Sequence, residues 1–277
     1  MSNFVAAMGG ALMPLRASVS DWWQNTIESY DASSASWLEE FVFEFDRNFI
    51  REDRWKSLLE GLLNTLYITF FAVLLGIALG VVVAIVRSTY DKNYQEMKMK
   101  GGIGRWILAF FNGICNVYLS VIRGTPVVVQ LLIMYFVIFA SSTNGSMVAI
   151  IAFGVNSGAY VAEIFRGGIL SVDHGQFEAG RSLGFNYIQT MIFIVIPQMF
   201  KIVLPTLCNE FIVLLKETAV AGYVGIEDLT KAGDLIRGRT FSPFMPLIAV
   251  ALIYFVIVML FTYLVRRLER RLRKSER

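Results

Sequence analysis

Histidine and cysteine are nearly absent from this chain, which has one histidine, His174, and two cysteines, Cys115 and Cys208. A single histidine in a polar stretch is typical of a solvated loop residue and argues against a histidine-based metal centre or a Ser-His-Asp triad. The cysteines have neither CxxC nor metal-ligand spacing, so we predict that they are packing residues. No GxxxxGK[ST] phosphate-binding loop occurs. We therefore expect no catalytic residue, metal or cofactor in this chain, and any ATP must be hydrolysed by another protein.

Charged residues are also scarce, at 17% of the chain against 56% hydrophobic residues. Soluble domains carry about 25% charged residues, so this composition favours a membrane protein. The segment 61–86 contains 26 residues and no charge, which exceeds the ~20 residues that a helix needs to cross the hydrocarbon core. The sequence predicts an all-α integral membrane protein in the lipid bilayer, and nothing indicates a nucleic-acid partner.

The charges that do occur are unevenly distributed. Residues 1–60 carry five Lys/Arg and ten Asp/Glu, residues 87–123 carry six and two, and residues 266–277 carry seven and two. Because basic loops stay in the cytoplasm, we expect the N-terminus outside, the C-terminus inside and an odd number of spans in the cell membrane. The expected divisions are an extracytoplasmic N-terminal segment (1–60), a transmembrane domain (61–266) and a basic cytoplasmic tail (267–277).

The N-terminal segment contains a helical pattern from Trp37 onward, with apolar and acidic residues on opposite faces. Such a helix either rests on the outer membrane interface or packs on the protein's own surface. The apolar face comprises Trp37, Leu38, Phe41, Val42, Phe45 and Phe49.

Two uncharged runs of 17 residues, 106–122 and 124–140, flank Arg123. If both crossed the membrane separately, the basic tail would lie outside. We therefore expect a single crossing, in which 106–122 is an interfacial lead-in and the span begins near Pro126. Pro197 and Pro205 predict that the fourth span is broken. The five expected spans are 61–86, 126–140, 147 to about 165, 187–215 and 244–265.

A polar, helix-sized stretch at 173–197 separates two of the apolar segments. Its order of residues resembles the EAA loop of ABC-importer permease subunits, E-A-A-x3-G-x9-I-x-L-P, with six of the seven fixed positions agreeing in kind. Gly180 stands where the third Ala is usual and costs roughly 1 kcal/mol of helix propensity. The seven fixed positions fall on Glu178, Ala179, Gly180, Gly184, Ile194, Ile196 and Pro197.

This resemblance implies a short cytoplasmic coupling helix that docks into a groove on an ATP-hydrolysing partner. Small side chains allow the backbone to approach another protein closely, and Gly184 permits a sharp exit. Glu178 lies near the start of the helix, where a carboxylate is favourable for the helix dipole. The candidate ATPase-coupling residues are Gln176, Glu178, Ala179, Gly180, Arg181 and Gly184.

A second resemblance covers most of residues 60–277. The segments RGTPVVVQ (123–130), GLLNTLYIT (61–69), NSGAYVAEIFRGGI (156–169) and LLKETAVAGYVG (214–225) are similar to the polar amino acid permeases among the ABC importers. The resemblance implies a type I importer permease fold, a second permease subunit in a homodimer or heterodimer, two ATPase subunits inside and a solute-binding protein outside. The implied cargo is a polar amino acid such as glutamine, glutamate, arginine or histidine.

Ionisable and amide side chains within the apolar segments are candidates for the substrate path. A charge at membrane depth is costly unless it faces a partner or water, so Glu210 belongs either to a cavity for an amino acid or to a structural or gating network. Arg123 is either an inner-interface anchor or the partner of a buried carboxylate, and Gln130 makes an inter-helix hydrogen bond or lines the path. The candidates are Arg123, Gln130, Asn209, Glu210, Lys216, Glu217 and Thr218.

The resulting hypothesis is a permease subunit, itself not an ATPase, that imports polar amino acids by alternating access. The same machinery carrying an opine or another small solute is the nearest alternative. An ion-driven secondary carrier would usually show internal repeats and a longer chain, and neither feature is present here. In a membrane-anchored scaffold or signalling protein, the EAA-like stretch would have no role.

Overall fold

Helices form nearly all of the chain in this computed structural model, which describes residues 21–31, 35–100 and 103–274. No strand occurs within those ranges, and the predicted all-α fold is confirmed. The helices are α1 (21–28), α2 (Trp37–Phe45), α3 (Trp55–Lys100), α4 (Ile103–Gly124), α5 (Val127–Ile133), α6 (Gly145–Leu170), α7 (His174–Ser182), α8 (Tyr187–Thr190), α9 (Ile196–Glu217), α10 (Leu229–Thr240) and α11 (Phe244–Lys274).

Short turns of other helical types extend four of these helices. They are π-helical at Asp46–Ile50 after α2, Met134–Ile138 after α5 and Met191–Val195 after α8, and 3₁₀-helical at Arg51–Asp53 and at Thr218–Val224 after α9. The chain divides into two compact units. The first contains residues up to Glu60 together with Ala232–Ala251, and the second contains Gly61–Lys231 and Leu252–Arg277.

The first unit contains α2, which begins with a capping box. The Ser36 hydroxyl accepts a hydrogen bond from the Glu39 N–H, and the Glu39 carboxylate accepts one from the Ser36 N–H at 2.7 Å. This second bond holds the pKa of Glu39 below its ordinary value. On the predicted apolar face Val42 and Phe49 are buried, but Trp37 is 73% exposed. The helix therefore packs on its own unit only through its C-terminal half.

The second unit is built on α6, which contacts α3 on one side and α9 on another. Gly76 of α3 lies against Ser157, and a Cβ added to Gly80 would lie 2.5 Å from Cγ1 of Val161. Since the residue numbers rise together, α3 and α6 run in the same direction. Gly168 lies against Val203, and Ser157 bonds Glu210 further along α9, so α9 runs antiparallel to α6.

Among the described residues, five helices are long and apolar enough to cross a membrane, in agreement with the predicted number. Four of them extend beyond the expected bounds. The first is longest: α3 begins six residues before 61 and continues as helix to Lys100, through residues that we expected to form a connection. The five candidates are Trp55–Asp91, Ile103–Gly124, Gly145–Leu170, Tyr187–Val224 and Phe244–Leu272.

The prediction for the second span was wrong in extent. α4 has the length and composition of a span, whereas the segment after Pro126 forms an apolar helix of only 12 residues, Val127–Ile138. At 1.5 Å per residue that helix is about 18 Å long, short of the ~30 Å hydrocarbon core. The sequence could not show that this helix is so short, because the uncharged run continues to residue 140 whereas its last two residues lie in a turn after the helix.

Contacts of α4 and α5 show how the chain passes between α3 and α6. Arg123, at the end of α4, lies 3.9 Å from Glu163, which also pairs with Arg87 near the end of the apolar part of α3. α4 therefore ends at the level where α3 leaves the bundle. From there α5 returns antiparallel to α6, because Gln130 bonds Asn156 and Tyr135 approaches Gly145. The end of α4 leads into α5, which carries the chain back.

The predicted break in the fourth span was also wrong. Residues Tyr187–Val224 form one continuous run of 38 helical residues despite Pro197 and Pro205. The π-helical turn Met191–Val195 precedes Pro197, which then lies in the first turn of α9. Proline has no N–H to donate and its ring crowds the carbonyl four residues earlier, and the wider π turn accommodates both effects.

Candidate functional site

The predicted coupling segment forms a nine-residue helix, α7, with defined caps at both ends. The Asp173 carboxylate accepts a hydrogen bond from the Gly175 N–H at 2.6 Å. At the other end Gly184 has φ +80°, and the N–H groups of Gly184 and Phe185 donate to the carbonyls of Arg181 and Gly180 at 3.0 Å each. This is a Schellman motif, in which glycine is favoured because of its left-handed backbone.

Gly180 faces the inside of the protein. A Cβ at this position would lie 2.7 Å from Cγ2 and Oγ1 of Thr190, and 3.2 Å from Cδ1 of Ile194. α7 therefore packs with backbone contact on the start of the fourth span. Gln176 adds a second attachment, because its Oε1 accepts a hydrogen bond from Nε2 of Gln198 at 2.9 Å.

The opposite face of α7 is exposed. Glu178, Ala179 and Arg181 lie on it, so these three predicted coupling residues are open to a partner whereas Gly180 is not. Large apolar side chains that the sequence analysis missed surround this face. Leu183 is 71% exposed and Ile188 is 65% exposed. They occupy variable positions of the motif, in its three-residue and nine-residue spacers, so an apolar residue in an otherwise polar stretch was the available signal.

Glu163 is the centre of a charge cluster that joins three helices. Its Oε1 lies 3.1 Å from Nη1 of Arg87 on α3 and 3.9 Å from Arg123 on α4, and its Oε2 lies 2.8 Å from Nη2 of Arg166. The Arg123 guanidinium also lies 6.0 Å from the centre of the Tyr160 ring. Arg123 thus lies beside a carboxylate, while its side chain remains 47% exposed. The sequence analysis missed Arg87 and Glu163 as partners.

Two candidate path residues, Glu210 and Gln130, each bond one of two consecutive residues of α6. Glu210 Oε1 accepts a hydrogen bond from the Ser157 hydroxyl at 3.0 Å, and Gln130 Oε1 accepts one from Nδ2 of Asn156 at 2.9 Å. Ser157 and Asn156 are buried. The Gln130 amide also donates to the Ile122 carbonyl at 2.7 Å. α6 therefore makes one polar contact to α5 through Asn156 and a second to α9 through the adjacent Ser157.

The remaining candidates divide into buried and exposed positions on α9 and the turn after it. The Thr218 side chain is fully buried and donates to the Leu215 carbonyl at 2.8 Å. Asn209 and Lys216 are exposed, and Glu217 is half-buried. Asn209 lines a cavity of about 340 Å³ with Lys201, Thr206 and Glu269. Asn209 therefore faces this cavity, whereas its neighbour Glu210 lies on the side of α9 that contacts α6.

Asp228 caps α10 after the turn that follows α9. Its carboxylate accepts hydrogen bonds from the N–H groups of Thr230 (3.1 Å) and Lys231 (3.0 Å). The residue has no exposed surface, and burial raises the pKa of its carboxyl above the ordinary value in spite of these bonds. Within the described residues, no group of three His, Cys, Asp or Glu side chains is placed to hold a metal ion.

Several relatives resemble this chain over more than half of its length. A protein of Rickettsia bellii named as a putative glutamine transport system permease protein, GlnP, is 39% identical over 158 residues, covering 56% of this chain and 72% of the relative. The arginine transport system permease protein ArtQ of Bacillus subtilis is 37% identical, covering 60% and 77%. GlnP of Escherichia coli, a glutamine transport system permease protein, is 35% identical, covering 61% and 78%.

Solved structures and a family profile agree with these relatives. The structure of an amino acid ABC transporter with histidines matches with a TM-score of 0.69 and 38% identity, over 80% of this chain and 98% of that one. The MetNI methionine ABC transporter, with a TM-score of 0.64 over 79% and 97%, shares the fold at 20% identity. Residues 102–274 match the family described as the inner membrane component of binding-protein-dependent transport systems. The chain belongs to this family of transport permeases.

Proposed function

We propose that this permease imports polar amino acids by alternating access, driven by ATP hydrolysis in partner subunits. The observation that carries the proposal is the pair of polar contacts inside the membrane bundle, in which Ser157 bonds Glu210 of α9 and the adjacent Asn156 bonds Gln130 of α5. An amino acid presents an ammonium and a carboxylate, which a carboxylate and neutral donors can bind. The names of the relatives, which specify glutamine and arginine, support the same class of cargo.

The proposed energy source is a pair of ATPase subunits that contact the exposed face of α7 on the cytoplasmic side. The Gly180–Thr190 contact and the Gln176–Gln198 hydrogen bond attach α7 to the fourth span at two points. α9 carries Glu210, which bonds α6 through Ser157. A displacement of α7 by the partner therefore acts on the helix that holds one side of the polar site. Such a displacement requires that the ATP-bound and ATP-free partners hold α7 differently.

A second permease subunit is the proposed neighbour of α9. Thr206, Asn209 and Lys216 are exposed on this helix although they lie within a candidate span. Polar groups at membrane depth are stable when they face a cavity or another subunit. The sister subunit is either a second copy of this chain or a related one. An external solute-binding protein delivers the cargo, with the N-terminus outside and the C-terminus in the cytoplasm.

The partners and the orientation are tested together. We expect an ATPase to co-purify with the chain, and we expect a cysteine placed at Gln176 or Arg181 to react with an impermeant reagent only from the cytoplasmic side. Labelling from outside would overturn the proposed orientation and coupling. Failure of any ATPase to co-purify would overturn the proposed energy source.

The cargo is tested by uptake into proteoliposomes that contain the assembled complex and its binding protein, with glutamine, glutamate, arginine and histidine as substrates. We expect Glu210→Gln and Ser157→Ala to reduce uptake at least tenfold, because the first removes the negative charge that would bind the ammonium group and the second removes the donor of the 3.0 Å bond. Thr262→Val is the matched control, since that hydroxyl bonds only its own helix, at the Val258 carbonyl. Normal uptake by an assembled Glu210→Gln complex would show that Glu210 does not line the substrate path. Uptake of an opine, without uptake of any of the four amino acids, would overturn the proposed cargo.

A further inference from the structure

An acidic and aromatic groove lies on the first unit, between α2 and the connection from α10 to α11. Its volume is about 420 Å³. Six of its lining residues are aromatic or acidic: Trp37, Glu40, Phe41, Glu44, Phe241 and Phe244.

The aromatic rings of this groove are unusually exposed. The exposed fraction is 73% for Trp37, 46% for Phe41, 86% for Phe241 and 70% for Phe244. Trp37 and Phe41 lie one turn apart on α2, with ring centres 6.1 Å apart. Rings this exposed bury little apolar surface within their own chain, so they contribute little to its stability. A contiguous cluster of such rings is typical of an interaction site.

Phe241 is held in an unfavourable backbone conformation. Its φ is +55°, a region that bulky side chains rarely occupy. The preceding residue is held by the π-helical turn after α2: the Thr240 hydroxyl donates to Asn48 Oδ1 at 2.7 Å, and the Arg47 guanidinium donates to the Thr240 carbonyl. Strained backbone that the surroundings enforce is concentrated at functional sites. Here the strain keeps an aromatic ring at the rim of the groove.

The charge of the groove determines which partner it fits. Residues 35–54 carry six Asp/Glu and three Arg. Glu44 is paired with Arg47 at 3.0 Å, whereas Glu40 is exposed and has no ion-pair partner among the described residues. A carboxylate beside aromatic faces attracts a cation, both through its charge and through cation–π contact. An acyl chain of a lipid would gain nothing from these carboxylates.

We infer that this groove docks a lysine or arginine side chain on the surface of the external solute-binding protein. The inference rests on the proposed function, because it requires the N-terminus outside and a binding protein as partner. The family match begins at residue 102, so α2 is additional to the part of the chain that defines the permease. Aromatic side chains with neighbouring charges are the groups that dominate binding energy at protein interfaces. α2 thus completes a groove whose other wall, formed by residues 241–245, lies within the matched region.

The test measures the affinity of the purified complex for its binding protein. The complex is reconstituted in nanodiscs of phosphatidylglycerol, and the binding protein is the one that stimulates uptake by the unchanged complex. We expect Glu40→Lys and Trp37→Ala to weaken binding about tenfold each, and salt to weaken binding by the unchanged complex more than by Glu40→Lys. Basal ATP hydrolysis without the binding protein should stay unchanged, which shows that the variants are assembled. Trp37→Phe should retain most of the affinity.

Glu28→Lys provides the matched control. Glu28 is an exposed acidic residue on α1 of the same unit and does not line the groove, so its reversal should leave the affinity unchanged. Equal losses from Glu28→Lys and Glu40→Lys would reduce the effect to net charge and overturn the inference. Unchanged affinity in the groove variants, with altered retention of phosphatidylglycerol or altered dimerisation, would overturn the inference and assign the groove to a lipid or to a second copy. If no binding protein stimulates the unchanged complex, the proposed function fails as well, and this outcome is distinct from the others.

Discussion

The contact between Gly180 and Thr190 leads to a prediction that can be worked out from distances. Gly180→Ala adds a Cβ that would lie 2.7 Å from Thr190, where ordinary contact is 3.4–4 Å. The partner atoms are Cγ2 and Oγ1 of a side chain that is only 2% exposed and whose hydroxyl donates to the Asn186 carbonyl at 3.0 Å. Thr190 therefore cannot move aside without losing that bond. Alanine should be harmful here, although it is the residue that the EAA pattern usually has.

Two opposing effects set the magnitude. Replacing glycine by alanine within a helix stabilises it by up to about 1 kcal/mol. Overpacking at a buried contact destabilises a protein by about 1–3 kcal/mol, and the steric effect is the larger one because the added Cβ would lie only 2.7 Å from the Thr190 side chain. The double variant Gly180→Ala/Thr190→Ala removes the obstructing atoms and keeps the helix-propensity gain. The interaction free energy in this double-mutant cycle should therefore be about 1–3 kcal/mol.

The cycle is measured by denaturant unfolding of the four proteins in micelles, together with the ratio of ATP hydrolysed to substrate imported in proteoliposomes. We expect Gly180→Ala to lower the unfolding midpoint and to increase ATP use per substrate. The double variant should recover both quantities relative to Thr190→Ala alone. An interaction free energy near zero would show that α7 does not pack on Thr190 as described. A stability loss with an unchanged ATP ratio would separate this contact from coupling.

Three further predictions concern charge, packing and pH. Glu163→Gln should lower the free energy of unfolding by roughly 1 kcal/mol, since the carboxylate is partly exposed and its arginines remain hydrated. The measurement is the thermal unfolding midpoint, and an unchanged midpoint would contradict a stabilising role for the cluster. Gly80→Val should prevent close packing of α3 on α6 and abolish assembly with the ATPase, whereas the exposed Gly113→Val, with no atom near its added Cβ, should assemble. Burial raises the pKa of Asp228, so its stabilising contribution is full below its unfolded pKa of about 4 and is lost as pH rises through the folded pKa. Asp228→Asn keeps the cap and should remove this pH-dependent loss, as measured by unfolding midpoints between about pH 4 and 7; parallel midpoint curves for the two proteins would refute it.

Local sequence signals predicted a short helix in the segment 173–184, because such signals act over a few residues. Asp173 and Gly184 cap α7 through bonds to residues at most three positions away. The number of helical spans also followed from apolar length and charge. In contrast, Ser157–Glu210 and Asn156–Gln130 join residues 53 and 26 positions apart. No periodicity within one segment specifies such pairs, so Glu210 and Gln130 were found as polar groups without their partners.

The errors at Pro126 and Pro197 have a common physical origin. Hydropathy measures apolar length, but the backbone decides where a helix ends, and proline has different effects in different surroundings. α4 ends at Gly124 and the next helix begins at Val127. Pro126 causes this break, because a proline ring disfavours the helical conformation of the residue before it, here Thr125. At Pro197 the preceding π turn accommodates the ring and the helix continues. The deciding interactions lie in the backbone several residues before each proline.

The continuity of the fourth span has a mechanical consequence for coupling. A helix broken at Pro197 would allow α7 to move without displacing Glu210, because the two halves would turn about the break. Instead, α8, the π turn and α9 form one helical run from Tyr187 to Glu217, and α7 is attached near its beginning through Thr190 and Gln198. The π turn lies between these two attachment points and is the least regular part of the run. In the proposed coupling, motion of α7 would therefore reach Glu210 as a tilt of a continuous helix, with the π turn located between the two points of attachment.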